Sequence, residues 1–188
     1  MNSWLLTSTF YGNWLPGDRR GFVGRVLEQR VEDDAATVRH VHHERDTPYD
    51  RDMPGLQAAA AYQMKGEPVL VNVEQAATLV NQFQETASHR GWRLVAAAVM
   101  ANHIHLVVQF EGYVDVHKIL GDFKAYGSRV LNQGWGKPPN GTWWTSQGSK
   151  RPLPDEAALR NAVQYAMNQH GALSVWCDPE FATSSGVA

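Results

Sequence analysis

The sequence predicts an α+β domain, an antiparallel sheet with helices packed on one face, and three observations carry that prediction. Residues 92–100 and 103–110 are apolar runs separated only by Ala101-Asn102, a connection short enough for a β-hairpin. In 74–89 and again in 114–131, apolar residues recur at three- and four-residue steps, which places them on one side of a helix. Residues 4–11 read WLLTSTFY, rich in aromatic and β-branched side chains, and stop at Gly12, so a strand opens the chain.

The remaining elements follow in order. Residues 16–66 contain Pro16-Gly17, Pro48, Pro54-Gly55, Gly66 and the acidic run Glu32-Asp33-Asp34 with little periodicity. They read as an insertion holding one short helix near 56–64. The helix over 74–89 aligns Ala76, Leu79, Val80 and Phe83 and ends at His89-Arg90-Gly91, a basic last turn with a glycine stop. The helix after the hairpin aligns Val116, Ile119, Leu120, Phe123, Tyr126, Val130 and Leu131 and ends before Gly134-Trp135-Gly136. Residues 141–151 (GTWWTSQGSKR) form an aromatic turn or short strand. Asp155 can cap a last helix that carries Leu159, Ala162, Val163, Ala166 and Met167 on its apolar side and stops at Gly171.

Composition bounds the function. With 188 residues, 43% hydrophobic, 19% charged and seven Trp, the chain can bury one core as a single domain over 1–188, and disorder is a poor explanation of it. No apolar run approaches the ~20 residues of a membrane helix, and the N-terminus lacks a basic region and cleavage site, so a cytoplasmic protein is expected. Cys177 is the only cysteine, which excludes an internal disulfide and any zinc site built on paired thiolates. The net charge of −2 argues against indiscriminate coating of nucleic acid. Residues 86–170, however, carry nine Lys and Arg against five Asp and Glu, while the rest carries eight against fourteen. A basic half facing a polyanion and a merely solvated surface both fit that asymmetry.

The residues that carry chemistry are His103-Ile104-His105. Strand alternation puts Ile104 and Leu106 on one face and both imidazoles on the other, where they can hold a divalent ion or form a structural pair. Tyr165 and Gln169, four residues apart, are neighbours on one helical surface beside the apolar stripe. A phenol and an amide oxygen can reach one point there, though a packed tyrosine and a solvated glutamine account for the same spacing.

Taken together, MANHIHLVV (100–108), the long helix after it, the GTWW segment and VQYAMNQ (163–169) resemble the single-tyrosine HUH transposases, and within them the REP-associated tyrosine transposases. STFYGNWLPGDRRG (8–21) is a weaker echo. The resemblance runs from about 73 to 171 and implies a ferredoxin-like, RRM-like palm. It implies His103, His105 and Gln169 as ligands of Mg2+ or Mn2+ and Tyr165 as the nucleophile that attacks a single-stranded, hairpin-bearing DNA. The products are a 5′-phosphotyrosine and a free 3′-hydroxyl, and reversal with another 3′-hydroxyl rejoins the strand. Lys124, Arg129, Lys150 and Arg151 are candidate phosphate contacts, and Trp143 and Trp144 can stack on bases or pack in the core. The family implies a monomer or a homodimer. The sequence departs from it in Ala101, where proline is usual, in the long insertion, and in lacking Asn-Pro after Tyr165. Tyr126, between Lys124 and Arg129, is a rival nucleophile whose helical stripe favours core packing. His40, His42, His43 and Glu44 (HVHHE) form a second cluster that a polar loop also explains. The alternative function is a catalytically silent nucleic-acid-binding protein of the same fold. A small-molecule metallohydrolase has no need of a tyrosine beside the ion.

Overall fold

The computed structural model describes residues 1–19, 22, 24–28, 37–42 and 53–185. The elements are β1 (Asn2–Thr9), β2 (Gly24–Glu28), β3 (Val38–His42), α1 (Pro54–Tyr62), α2 (Val73–Arg90), β4 (Arg93–Met100) and β5 (His103–Phe110). They continue with α3 (Val116–Trp135), β6 (Ser149–Pro152), α4 (Glu156–Met167), β7 (Ala172–Cys177) and α5 (Pro179–Ser185). Five strands form one antiparallel sheet in the order β6-β1-β5-β4-β7, and β2 and β3 pair separately as a two-stranded ribbon within the insertion. The β4–β5 hairpin sits at the centre of the sheet, as its continuous apolar character requires: a central strand is covered on both faces.

The expectation of helices on one face is corrected. The even-numbered residues of β5 (Ile104, Leu106, Val108, Phe110) join Leu6, Ala97 and Val99 in a core covered by α2 and α3. Val107, on the opposite parity, joins Leu5, Val95, Ala96, Ala98 and Met100 in a second core covered by α4. Both faces of the sheet therefore carry helices. The reason lies in the composition of α4, whose Leu159, Ala162, Val163 and Ala166 lie against the small side chains of β4, so this helix packs closely without a thick layer between.

Helix ends obey the local rules. Asn72 and Gln75 exchange side-chain-to-backbone hydrogen bonds in a capping box that starts α2, and Gly91 at φ +69° ends it. The Asp155 side chain accepts from the Ala158 N–H at 2.7 Å and starts α4. That helix ends at Met167, four residues before the expected glycine stop, and Asn168 to Gly171 turn the chain into β7, a strand the sequence reading does not contain. The two tryptophans of GTWW belong to the α2/α3 core. Trp144 is 5% exposed, stacks on Phe10 at 4.5 Å and donates to the Lys124 carbonyl and to Ser128 Oγ at 3.0 Å each. Trp143 is 6% exposed and donates to Asn132 Oδ1. Neither ring presents a face to a base, so stacking on DNA by Trp143 or Trp144 is corrected to core packing. No helix among the described residues is long and apolar enough to cross a membrane.

Candidate active site

The register of β1 against β5 builds the site. Thr7 is paired with His105 and Thr9 with His103, so both threonines share the imidazoles' face of the sheet. On the other side of β5, Ala98 is paired with His105 and leaves room for the ring. The imidazoles of His103 and His105 lie 4.9 Å apart, edge to face, and α4 crosses above them. Tyr165, in the last turn of α4, reaches down so that its Oη is 3.4 Å from His105 Nε2, with the two rings 5.0 Å apart. His105 is buried, while Tyr165 is 51% exposed. A half-exposed phenol over a buried imidazole has one side packed and the other open to an incoming molecule.

Two further side chains orient the rings, and the sequence reading assigned neither to the site. Thr7 Oγ1 lies 2.7 Å from His105 Nδ1, which directs Nε2 toward Tyr165. His103 Nδ1 lies 2.6 Å from Asn102 Oδ1. An amide oxygen only accepts, so Nδ1 carries a proton and Nε2 is the nitrogen with which the neutral ring would ligate. The Asn102 carbonyl also accepts from the Phe10 N–H and the Ala101 carbonyl from the Val71 N–H, so the hairpin turn that carries His103 is braced on both sides. The Asn102 signal was legible as a turn residue. Thr7 became visible only with the strand register.

Burial, aided by the nearby His103, pushes the His105 imidazole down to about 3. At neutral pH it is uncharged, which suits a ligand. It is a poor general base, because burial disfavours the protonated ring that accepting a proton would create.

Gln169 lies just beyond α4, and its amide nitrogen donates to the Tyr165 carbonyl at 2.9 Å, so the amide oxygen is the atom left to serve as a ligand. Among the described residues no three His, Cys, Asp or Glu side chains cluster as a metal site. His40 and His42 fall in β3, and His43 and Glu44 lie outside the described residues. Tyr126 is on α3, across the sheet from His105, with the guanidinium groups of Arg90 and Arg129 at 5.7 and 5.0 Å from its ring centroid.

The basic candidates separate by position. The Lys124 ammonium donates to the carbonyls of Thr145, Ser146 and Gln147, and burial, with Lys150 nearby, pulls it down to about 8. Lys150 donates to the Gly148 carbonyl and shares the register of Leu6, on the α3 face. These two lysines hold the loop that follows the tryptophans. Arg129 is exposed on α3. Arg151 is paired with Leu5, so it is exposed on the same face of the sheet as His105.

The sequence profile of the family described as "Transposase IS200 like" matches residues 64–149, a stretch that contains both histidines and ends before Tyr165. No curated protein sequence matches the chain. Among solved structures, the chain is similar to a candidate transposase from Deinococcus radiodurans R1, with 17% identity over 92% of this chain and 94% of that one and a TM-score of 0.47. It is also similar to the REP-associated tyrosine transposase bound to a REP hairpin, with 12% identity, a TM-score of 0.44, and coverage of 88% of this chain and 64% of that one. Over residues 64–149, just under half of its length, the chain is similar to the IS200-like transposase family.

Proposed function

We propose that the protein is a metal-dependent single-strand DNA endonuclease and strand transferase that acts on hairpin-bearing DNA through Tyr165. The observation that carries the proposal is the Tyr165 phenol, half exposed, 3.4 Å from the Nε2 of a buried neutral histidine that has a second histidine beside it. In the reaction the Tyr165 Oη–P bond forms as the P–O3′ bond breaks. The phenolic proton leaves through the exposed side to solvent, and the departing 3′-oxygen takes up a proton. The product is a 5′-phosphotyrosine with a free 3′-hydroxyl, and the phosphodiester bond energy is kept for rejoining.

The donor set fits a divalent cation. Two imidazoles, one oriented by Thr7 and the other by Asn102, would offer nitrogen, and Gln169, whose amide nitrogen is committed to the Tyr165 carbonyl, would offer Oε1 as the third ligand. A bound Mg2+ or Mn2+ supplies charge stabilisation at the phosphate oxygens. The set is richer in nitrogen than Mg2+ prefers, so Mn2+ binds more tightly. His105, held neutral, serves as a ligand and not as the proton acceptor. Arg151 contacts the DNA backbone on this face, and Arg129 provides a more remote contact. We take 1–188 as one domain, with 16–66 inserted, working in the cytoplasm as a monomer or homodimer.

Cleavage of a labelled single-stranded hairpin, with and without chelator, tests the reading. Chelation should abolish cleavage and added Mn2+ or Mg2+ should restore it. His103→Ala and His105→Ala should each cut the rate by at least about a hundredfold while hairpin binding changes little, because phosphate and base contacts supply the affinity. Unchanged cleavage in either variant removes the metal assignment. Binding without cleavage by the wild type, at any metal concentration, makes the silent binding protein the better account.

A further inference from the structure

Trp14 is the only non-glycine residue among those described with a left-handed backbone, at φ +59°. For a bulky side chain that conformation is costly and persists only where the surroundings over-determine it. They do so here. The loop after β1 is tied to the segment before α2 by the Val69 N–H donating to the Tyr11 carbonyl (2.8 Å) and by Asn13 Nδ2 donating to the Val69 carbonyl (2.7 Å). Gly12, at φ +75°, lies so close that a Cβ there would come within 2.9 Å of Pro68 Cα. The Phe10 N–H donates to the Asn102 carbonyl, which fixes the loop to the turn carrying His103. What this construction delivers is a half-buried indole 6.3 Å from the His103 ring and nearly perpendicular to it.

Each of four rings is the neighbour of the next, Trp14 to His103, His103 to His105 and His105 to Tyr165, with centroids 6.3, 4.9 and 5.0 Å apart. Displacement at phosphorus requires the attacking and departing oxygens to lie in line on opposite sides. Tyr165 neighbours His105 and Trp14 neighbours His103, so an in-line attack that runs from the His105 side to the His103 side would release the 3′-oxygen beside Trp14. We propose that Trp14 is a substrate-contacting, specificity-determining residue that stacks on the nucleotide carrying the departing 3′-oxygen. The inference rests on the Tyr165 transesterification proposed above. Stacking is tolerant of base identity and intolerant of a missing base, so Trp14 senses that an unpaired nucleotide is present on that side.

The test uses hairpin substrates with a single abasic residue either immediately 5′ or immediately 3′ of the scissile phosphate, and reads the rate of covalent adduct formation at limiting substrate. In the wild type, the abasic residue on the 5′, departing side should lower the rate about tenfold. In Trp14→Gly the intact substrate should already be about tenfold slower, and the 5′ abasic residue should cost less than about twofold more. The 3′ abasic residue should have the same effect in both proteins, and Trp14→Phe should recover most of the rate. Glycine adopts the left-handed backbone without strain, so thermal melting of Trp14→Gly separates loss of the loop from loss of the ring. A full 5′ abasic penalty in Trp14→Gly, or an intact-substrate rate equal to wild type, overturns the inference while leaving Tyr165 chemistry standing. Absence of adduct in the wild type removes the Tyr165 reading, and the inference with it.

Discussion

At the scale of single residues, the site depends on the side chains that aim the imidazoles as much as on the imidazoles. Thr7 holds His105 Nδ1 at 2.7 Å, so Thr7→Val should keep the fold, lose the orienting partner and slow cleavage by roughly ten- to a hundredfold. A metal titration of the rate would register the change as weaker metal dependence, and an unchanged titration would count against the role. His105 also gives a signature in stability. Its folded-state pKa of about 3 lies below the 6.5 of the unfolded chain, so the unfolded chain takes up the proton first and stability falls as pH drops below about 6.5. From this one group the metal-free protein should lose about 2 kcal/mol between neutral pH and pH 5. Urea unfolding of wild type and His105→Asn at both pH values measures it: the variant should show a shallower pH dependence, and equal slopes would contradict the burial argument. The two histidines were legible because alternation in a strand puts i and i+2 on one face whatever surrounds them. Thr7 was not, because its role comes from a cross-strand register that β1 alone does not encode.

At the scale of elements, the hairpin and helices α2, α3 and α4 were legible from period and punctuation, although α3 runs on through Gly134 to Trp135, past the stop expected before Gly134. Asp155 is the clearest cap for the site, because α4 carries Tyr165 at its far end. Asp155→Ala should destabilise the protein by about 1 kcal/mol in chemical denaturation and leave adduct chemistry in the folded fraction unchanged. A loss of chemistry without a loss of stability would give Asp155 another role. The strands β2, β3 and β7 were not read from the sequence. The segment ALSVWC of β7 is short and only half buried, so it alternates weakly, and among the described residues β2 and β3 form a separate two-stranded sheet. The end of α4 was placed too late because Gly171 was read as the helix stop. It stands instead at the entrance to β7, at φ +77°, and Gln169 consequently lies in a turn.

At the scale of the whole molecule, the sheet separates two kinds of work. The α2/α3 face buries the large aromatic core, including Trp143 and Trp144, and keeps Tyr126 among arginines. The α4 face is thinner, built on Ala96, Ala98, Ala162 and Ala166, and that thinness lets a helix bring a tyrosine onto a strand-borne histidine. Helices on both faces were not legible in the sequence, since an apolar stripe announces that a helix is covered but not by which side of the sheet. This division makes the central claim sharply testable: only one of the two tyrosines on long helices shares a face with the histidines. The direct measurement is covalent capture of a hairpin labelled at its 3′ or 5′ end, in the presence of Mn2+, by wild type, Tyr165→Phe and Tyr126→Phe. The 3′ label should remain on wild type and Tyr126→Phe through a phosphotyrosine that peptide mass analysis assigns to Tyr165, and Tyr165→Phe should bind the hairpin yet capture nothing. Capture that survives in Tyr165→Phe and vanishes in Tyr126→Phe would contradict the account.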